Sequence, residues 1–89
     1  MNKILLITTR GCEGCAAMRN SIKQALALTS KEVIFEEKDI SDLDKKDASK
    51  YRLRDFPTTL FFKDSRLVRK ETCSRPYIAV LRWIDVDFK

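Results

Sequence analysis

The sequence predicts an α/β domain, a four-stranded mixed sheet with helices on both faces, in the chain order β-α-β-α-β-β-α. Three observations carry this. Ile4 to Thr8 is an almost uninterrupted apolar run ending in threonines, as in a strand buried on both faces of a sheet. From Cys12 to about Leu28 the apolar residues switch to helical spacings of three and four. After Pro57, two β-favouring segments flank a short polar connection suited to a hairpin.

Arg10-Gly11 breaks the first strand. In the helix that follows, Cys15, Met18, Ile22, Ala25 and Leu26 form the apolar stripe, with Arg19, Lys23 and Gln24 opposite. Glu32 to Ile40 reads as the second strand, centred on Val33-Ile34-Phe35. Ser41 or Asp42 caps a second helix running to about Leu53, with a thin apolar face (Leu43, Ala48, Tyr51) and a charged exterior. Thr58 to Phe62 and Leu67 to Glu71 are the hairpin strands, joined through Lys63-Asp64-Ser65-Arg66. A last helix starts near Ser74-Arg75-Pro76, with Pro76 in its first turn, where a missing N–H costs little. Tyr77, Val80, Leu81, Ile84 and Phe88 form its stripe. The first strand, helix and strand favour a parallel pair with a right-handed crossover, and the hairpin adds antiparallel strands to the same sheet.

At 89 residues the chain is one domain, 1–89, too small for two independent cores. No segment reaches the roughly 18–20 apolar residues of a membrane span. The apolar part of the opening segment is too short for a secretory signal, which points to the cytoplasm. The net charge of +5 comes from basic residues interleaved with acidic ones, without a basic run or a nucleic-acid-binding module. Nucleic acid and membrane are therefore not the expected partners. The densest basic stretch, Lys63 to Arg75, reads as a solvated face protecting an edge strand, or as a preference for acidic protein partners.

Cys12-Glu13-Gly14-Cys15 falls where the buried strand meets the amphipathic helix. Thiols react as thiolates, and the free amides and positive end of a helix stabilise that anion. Cys12 is placed to be exposed and activated; Cys15, one turn further in, is shielded. That asymmetry suits two-step exchange, in which Cys12 attacks a disulfide and Cys15 resolves the mixed disulfide. Such a pair also supplies half of many zinc sites. Two more ligands are needed, and the chain has no histidine and only Cys73 besides, so a metal shared across a dimer is the remaining metal reading.

With this motif, the stretch Tyr51-Arg52-Leu53-Arg54-Asp55-Phe56-Pro57-Thr58-Thr59-Leu60-Phe61-Phe62-Lys63-Asp64 resembles the thioredoxin superfamily over nearly the whole chain. The resemblance implies a thioredoxin-like fold and thiol–disulfide oxidoreductase activity on protein disulfides. It implies a cis-proline at Pro57 beside the cysteines, with the backbone of Phe56 pairing with bound substrate. No bound cofactor is implied. Electrons come from a separate donor, thioredoxin reductase or glutathione, and such compact forms are usually monomers. Two alternatives stay open: a glutaredoxin-like, glutathione-dependent reductase, and a non-catalytic adaptor module.

The departures fall at the site. Gly11 stands where a tryptophan typically precedes the first cysteine, and Glu13-Gly14 where thioredoxins have Gly-Pro. Glu13 opposes a thiolate at Cys12, and Arg10 favours it. Leu6 aligns with the buried aspartate that assists proton transfer, and Lys38 with that aspartate's lysine neighbour. Deprotonation of Cys15 then falls to water or Glu13. Cys73-Ser74-Arg75 stands where glutaredoxins carry a glycine pair and an acidic residue for glutathione. Cys73 itself aligns with a glycine of the substrate surface. It reads either as a thiol able to form a disulfide near Cys12, or as a small, at least half-buried thiol without chemistry.

Overall fold

In a strand, successive side chains alternate between the two faces, and in β1 (Asn2–Thr8) both sets are apolar. Ile4 and Leu6 point to one side, Leu5 and Ile7 to the other, and all four are buried. The computed structural model describes residues 1–89 and places β1 inside a four-stranded sheet. The other strands are β2 (Ile34–Asp39), β3 (Thr58–Lys63) and β4 (Arg66–Thr72), in the order β2-β1-β3-β4. β1 runs parallel to β2, with Leu6 opposite Glu37 and Ile7 opposite Lys38. It runs antiparallel to β3, with Leu6 opposite Thr59 and Ile7 opposite Thr58. β3 and β4 pair antiparallel through a bulge next to Phe61. Asp64 and Ser65, the residues of the hairpin turn, have φ of 51° and 69°, the left-handed torsions that match the twist of a two-residue hairpin.

Helices cover both faces. On one, α1 (Cys15–Leu28) and α3 (Tyr77–Asp87) lie side by side. Met18, Ile22 and Ala25 of α1 and Val80 and Ile84 of α3 close over Ile4, Leu6 and Phe61, with Phe88 just beyond α3. Phe61 is edge-on to Trp83 at 5.9 Å between ring centres and tilted against Phe88 at 5.8 Å. On the other face Leu5, Ile7 and Leu60 form a smaller core under Ile40, Leu43, Tyr51, Leu53, Phe56 and Phe62. α2 (Lys45–Lys50) lies in that covering segment and buries none of its own residues fully. No helix is long and apolar enough to cross a membrane.

Element boundaries differ from the sequence reading in several places. α1 begins at Cys15 instead of Cys12, because residues 9–14 are taken up by turns. β2 is confined to Ile34–Asp39, the span that finds partners on β1. The second helix is split. Asp39 accepts the Ser41 N–H at 2.9 Å and closes a separate 3₁₀ turn, Ile40–Asp42, after which Leu43 is extended. α2 then starts under its own cap, Asp44, which accepts the Lys46 N–H at 2.9 Å. It stops at Lys50, since Arg52 takes a left-handed φ of 52°. Pro76, finally, is the residue before α3; its ψ of 158° is extended, and its carbonyl accepts the first helical N–H groups from Ala79 and Val80.

The packing of Phe61 yields a direct expectation. Phe61→Ala removes a fully buried ring that touches two aromatic neighbours, and is expected to cost about 3–5 kcal/mol. It should appear as a lower urea midpoint at unchanged m-value.

Candidate functional site

The chain turns as soon as β1 ends. The Cys12 N–H donates to the Thr9 carbonyl at 3.3 Å, closing a four-residue turn whose third residue, Gly11, has φ of +76°. That torsion favours glycine and fits the third position of a type II turn. Gly11 is exposed, with nothing within 4 Å of where a Cβ would stand.

Cys12 and Cys15 are joined by a disulfide, their Cα atoms 5.6 Å apart. Cys15 is 5% exposed and lies on the buried stripe of α1; Cys12 is half-buried at the surface. Cys12 precedes the regular helix, but the helix mouth still faces it. The first helical bond runs from Met18 N–H to the Gly14 carbonyl, so the amides of Cys15, Ala16 and Ala17 donate to no backbone acceptor. Glu13 is exposed and forms no ion pair.

Antiparallel pairing brings the segment before β3 to the same end of the sheet. The Phe56–Pro57 peptide is cis, and Pro57 is buried against Gly14: a Cβ on Gly14 would lie 3.2 Å from Pro57 Cδ and 3.5 Å from Ser74 Cβ. The Pro57 carbonyl accepts the Cys73 N–H at 3.0 Å. Cys73 carries a free, exposed thiol at φ of 67°, so it is not the half-buried thiol of the bland sequence reading. The Phe56 ring packs on the Leu5, Ile7 and Leu60 core, while its N–H and C=O make no backbone hydrogen bond. The Arg75 N–H rests on Met18 Sδ at 3.4 Å, tying the 73–75 loop to α1.

Gly11, Cys12, Glu13, Gly14, Cys15, Phe56, Pro57 and Cys73 thus gather at one end of the sheet. Leu6 and Lys38 do not come together. Leu6 is buried on the α1 face beside Glu37, whereas Lys38 lies on the α2 face, at the rim of a cavity of about 300 Å³ floored by Leu5, Leu60 and Phe62. None of the gathered residues lines that cavity. No group of three or more His, Cys, Asp or Glu side chains is placed to hold a metal ion.

One residue escaped the sequence reading. Thr59 is fully buried on the α1 face, and its Oγ1 has no hydrogen-bond partner. Two consecutive threonines opening a strand among apolar neighbours were the available signal.

Two carboxylates near the site are strongly held. Arg19 grips Glu37 through Nε–Oε1 at 2.5 Å and Nη2–Oε2 at 2.7 Å, and these bonds hold the carboxyl below its ordinary value. Asp39 is held down by the N–H and hydroxyl of Ser41, with a smaller contribution from the charge of Arg10.

No protein-family model matches this chain. No curated protein matches it in sequence. Solved structures do match in shape. A thioredoxin-2 described as a component of the malaria parasite protein secretion machinery superposes with a TM-score of 0.82 at 13% identity, over 97% of this chain and 82% of that one. A mutant thioredoxin from Halobacterium salinarum gives 0.80 at 18% identity, over 96% and 73%. The thioredoxin of Aeropyrum pernix gives 0.74 at 17% identity, over 97% and 74%. At such identities the shared property is the fold, which is thioredoxin-like.

Two expectations follow from the site. Gly14→Ala pushes a methyl against the ring of Pro57, and is expected to cost about 1 kcal/mol in urea unfolding of the oxidised protein, at the low end for overpacking because alanine also restricts the unfolded chain. The second concerns acid. Glu37 and Asp39 sit below their ordinary values of 4.5 and 3.8 when folded. Each therefore stabilises the fold above its ordinary value and loses that contribution as the pH falls through the lower folded value. The urea midpoint should be flat down to roughly pH 5 and drop below about pH 4, with a shallower drop in Glu37→Gln.

Proposed function

We propose that the protein is a thiol–disulfide oxidoreductase that exchanges the Cys12–Cys15 pair with protein disulfides. The observation that carries this is the disulfide itself, placed at an open helix mouth with one partner reachable and the other buried. The step balances as follows. The Cys12 thiolate attacks one sulfur of a substrate disulfide, and the first substrate thiolate leaves. Cys15 loses its proton and attacks Cys12 Sγ, the second substrate thiolate leaves, and the Cys12–Cys15 bond closes. The substrate is reduced by two electrons and the enzyme pair is oxidised.

Phe56 and Pro57 position the incoming chain. The unused backbone groups of Phe56 are free to pair with an extended peptide, while its half-buried ring keeps them in place. Gly11, Glu13, Gly14 and Cys73 complete the rim. With no side chain at Gly11 and open space around it, the rim suits polypeptide disulfides that approach over a broad surface. Cys73-Ser74-Arg75 occupies the loop beside Pro57, without a glycine pair for glutathione. The protein works in a reducing compartment, the cytoplasm, as a monomer resupplied by thioredoxin reductase or glutathione.

Insulin-disulfide reduction tests this. Wild-type protein should catalyse it, Cys12→Ser should abolish it, and Cys15→Ser should accumulate a stable mixed disulfide through Cys12. Turnover of glutathione mixed disulfides alone would install the glutaredoxin-like reading. Loss of both activities in the wild type would leave an adaptor.

A further inference from the structure

We infer that the Thr59 hydroxyl is a positioning group for Cys15: it stands unpartnered while the Cys12–Cys15 bond is closed and hydrogen-bonds the Cys15 sulfur when the pair is reduced. This rests on the exchange function proposed above and adds a residue to it.

An unpartnered hydroxyl in a fully buried position is costly and calls for a cause. No oxygen or nitrogen hydrogen-bonds the side chain of Thr59. Its ladder partner on β1 is Leu6, which is apolar. Its partner on β4 is Glu71, whose carboxylate is engaged by Arg69 Nη1 at 2.8 Å. Further along the same layer, Glu37 is held by Arg19.

Sulfur lies on the helix packed over this face. Thr59 shares its face of the sheet with Phe61, under the stripe of α1 that begins at Cys15 and continues through Met18, Ile22 and Ala25. α1 starts at the end of the sheet where Gly14 touches Pro57, two residues before Thr59. Cys15 is thus the first residue of the stripe at the end where Thr59 is the first residue of β3 on the α1 face. Met18 Sδ, the next sulfur along, already accepts the Arg75 N–H.

A sulfur in a disulfide is a poor hydrogen-bond acceptor, whereas a thiolate is a strong one. Reduction leaves Cys15 as a thiol, whose S–H can donate to the Thr59 oxygen, and, on loss of its proton, as a thiolate that accepts the Thr59 O–H. As Cys15 gives up its proton to solvent or to a departing substrate thiolate, the Thr59 O–H donates to the sulfur. Thr59 takes up no proton. The hydroxyl therefore favours the dithiol over the disulfide, and it supplies the interior of the site with a polar group that Leu6 does not.

The test is the equilibrium of the pair in glutathione buffers, read by peptide-resolved alkylation so that Cys73 is counted apart. Thr59→Val keeps the shape and deletes the hydroxyl. The disulfide should become favoured by about tenfold, which for a two-electron couple is a potential lower by about 30 mV. Thr59→Ala should move the same way, covering the case in which valine disturbs folding. Thr59→Ser restores the hydroxyl and should stay within about twofold of wild type. A purely packing role would alter both redox forms alike and leave the equilibrium in place. The inference is overturned if Val and Ala leave the equilibrium within twofold of wild type, or if Ser moves it as far as they do. Because no protein substrate is present, a wild type inert toward insulin would remove the proposed function without touching this result.

Discussion

Antiparallel pairing of β1 with β3 decides where chemistry can happen in this molecule. It puts the C-terminal end of one strand beside the N-terminal end of the other, with Ile7 opposite Thr58. Whatever follows β1 must meet whatever precedes β3. Here the cysteine pair follows β1 and the Phe56–Pro57 segment precedes β3, so the two are juxtaposed although more than forty residues separate them in the chain. The contact of Gly14 with Pro57 and the bond from Cys73 to the Pro57 carbonyl then fix their spacing. β1 holds this register because both of its faces are buried, and a one-residue slip would exchange its two cores.

The same strand explains what was legible in advance. Ile4–Ile7, the stripe of α1 and the hairpin are local patterns whose periods belong to one structure only, and each stands where the pattern puts it. The second helix is less legible, because its residues are mostly charged and its boundaries are set by two aspartate side chains, Asp39 and Asp44, each closing its own turn. Periodicity carries no information about which of several candidate caps is used. The alignment that singles out Lys38 gives a position on β2 but says nothing of the face, and the face is what separates it from Leu6.

Thr59 was illegible for a different reason. A threonine early in a strand is ordinary by propensity. Its oddity lies in its neighbours, since Leu6 is apolar and Glu71 is committed to Arg69. Those neighbours lie on other strands, and only the assembled sheet shows that the hydroxyl has been left over.

Trp83 lies well along α3, edge-on to Phe61 and beneath the guanidinium of Arg69, which in turn grips Asp87. The cysteines sit by the other end of that helix, beyond Pro76. The one indole of the protein is consequently a witness to the integrity of the aromatic layer rather than to the oxidation state of sulfur. Its emission is therefore expected to follow melting rather than the opening and closing of the disulfide.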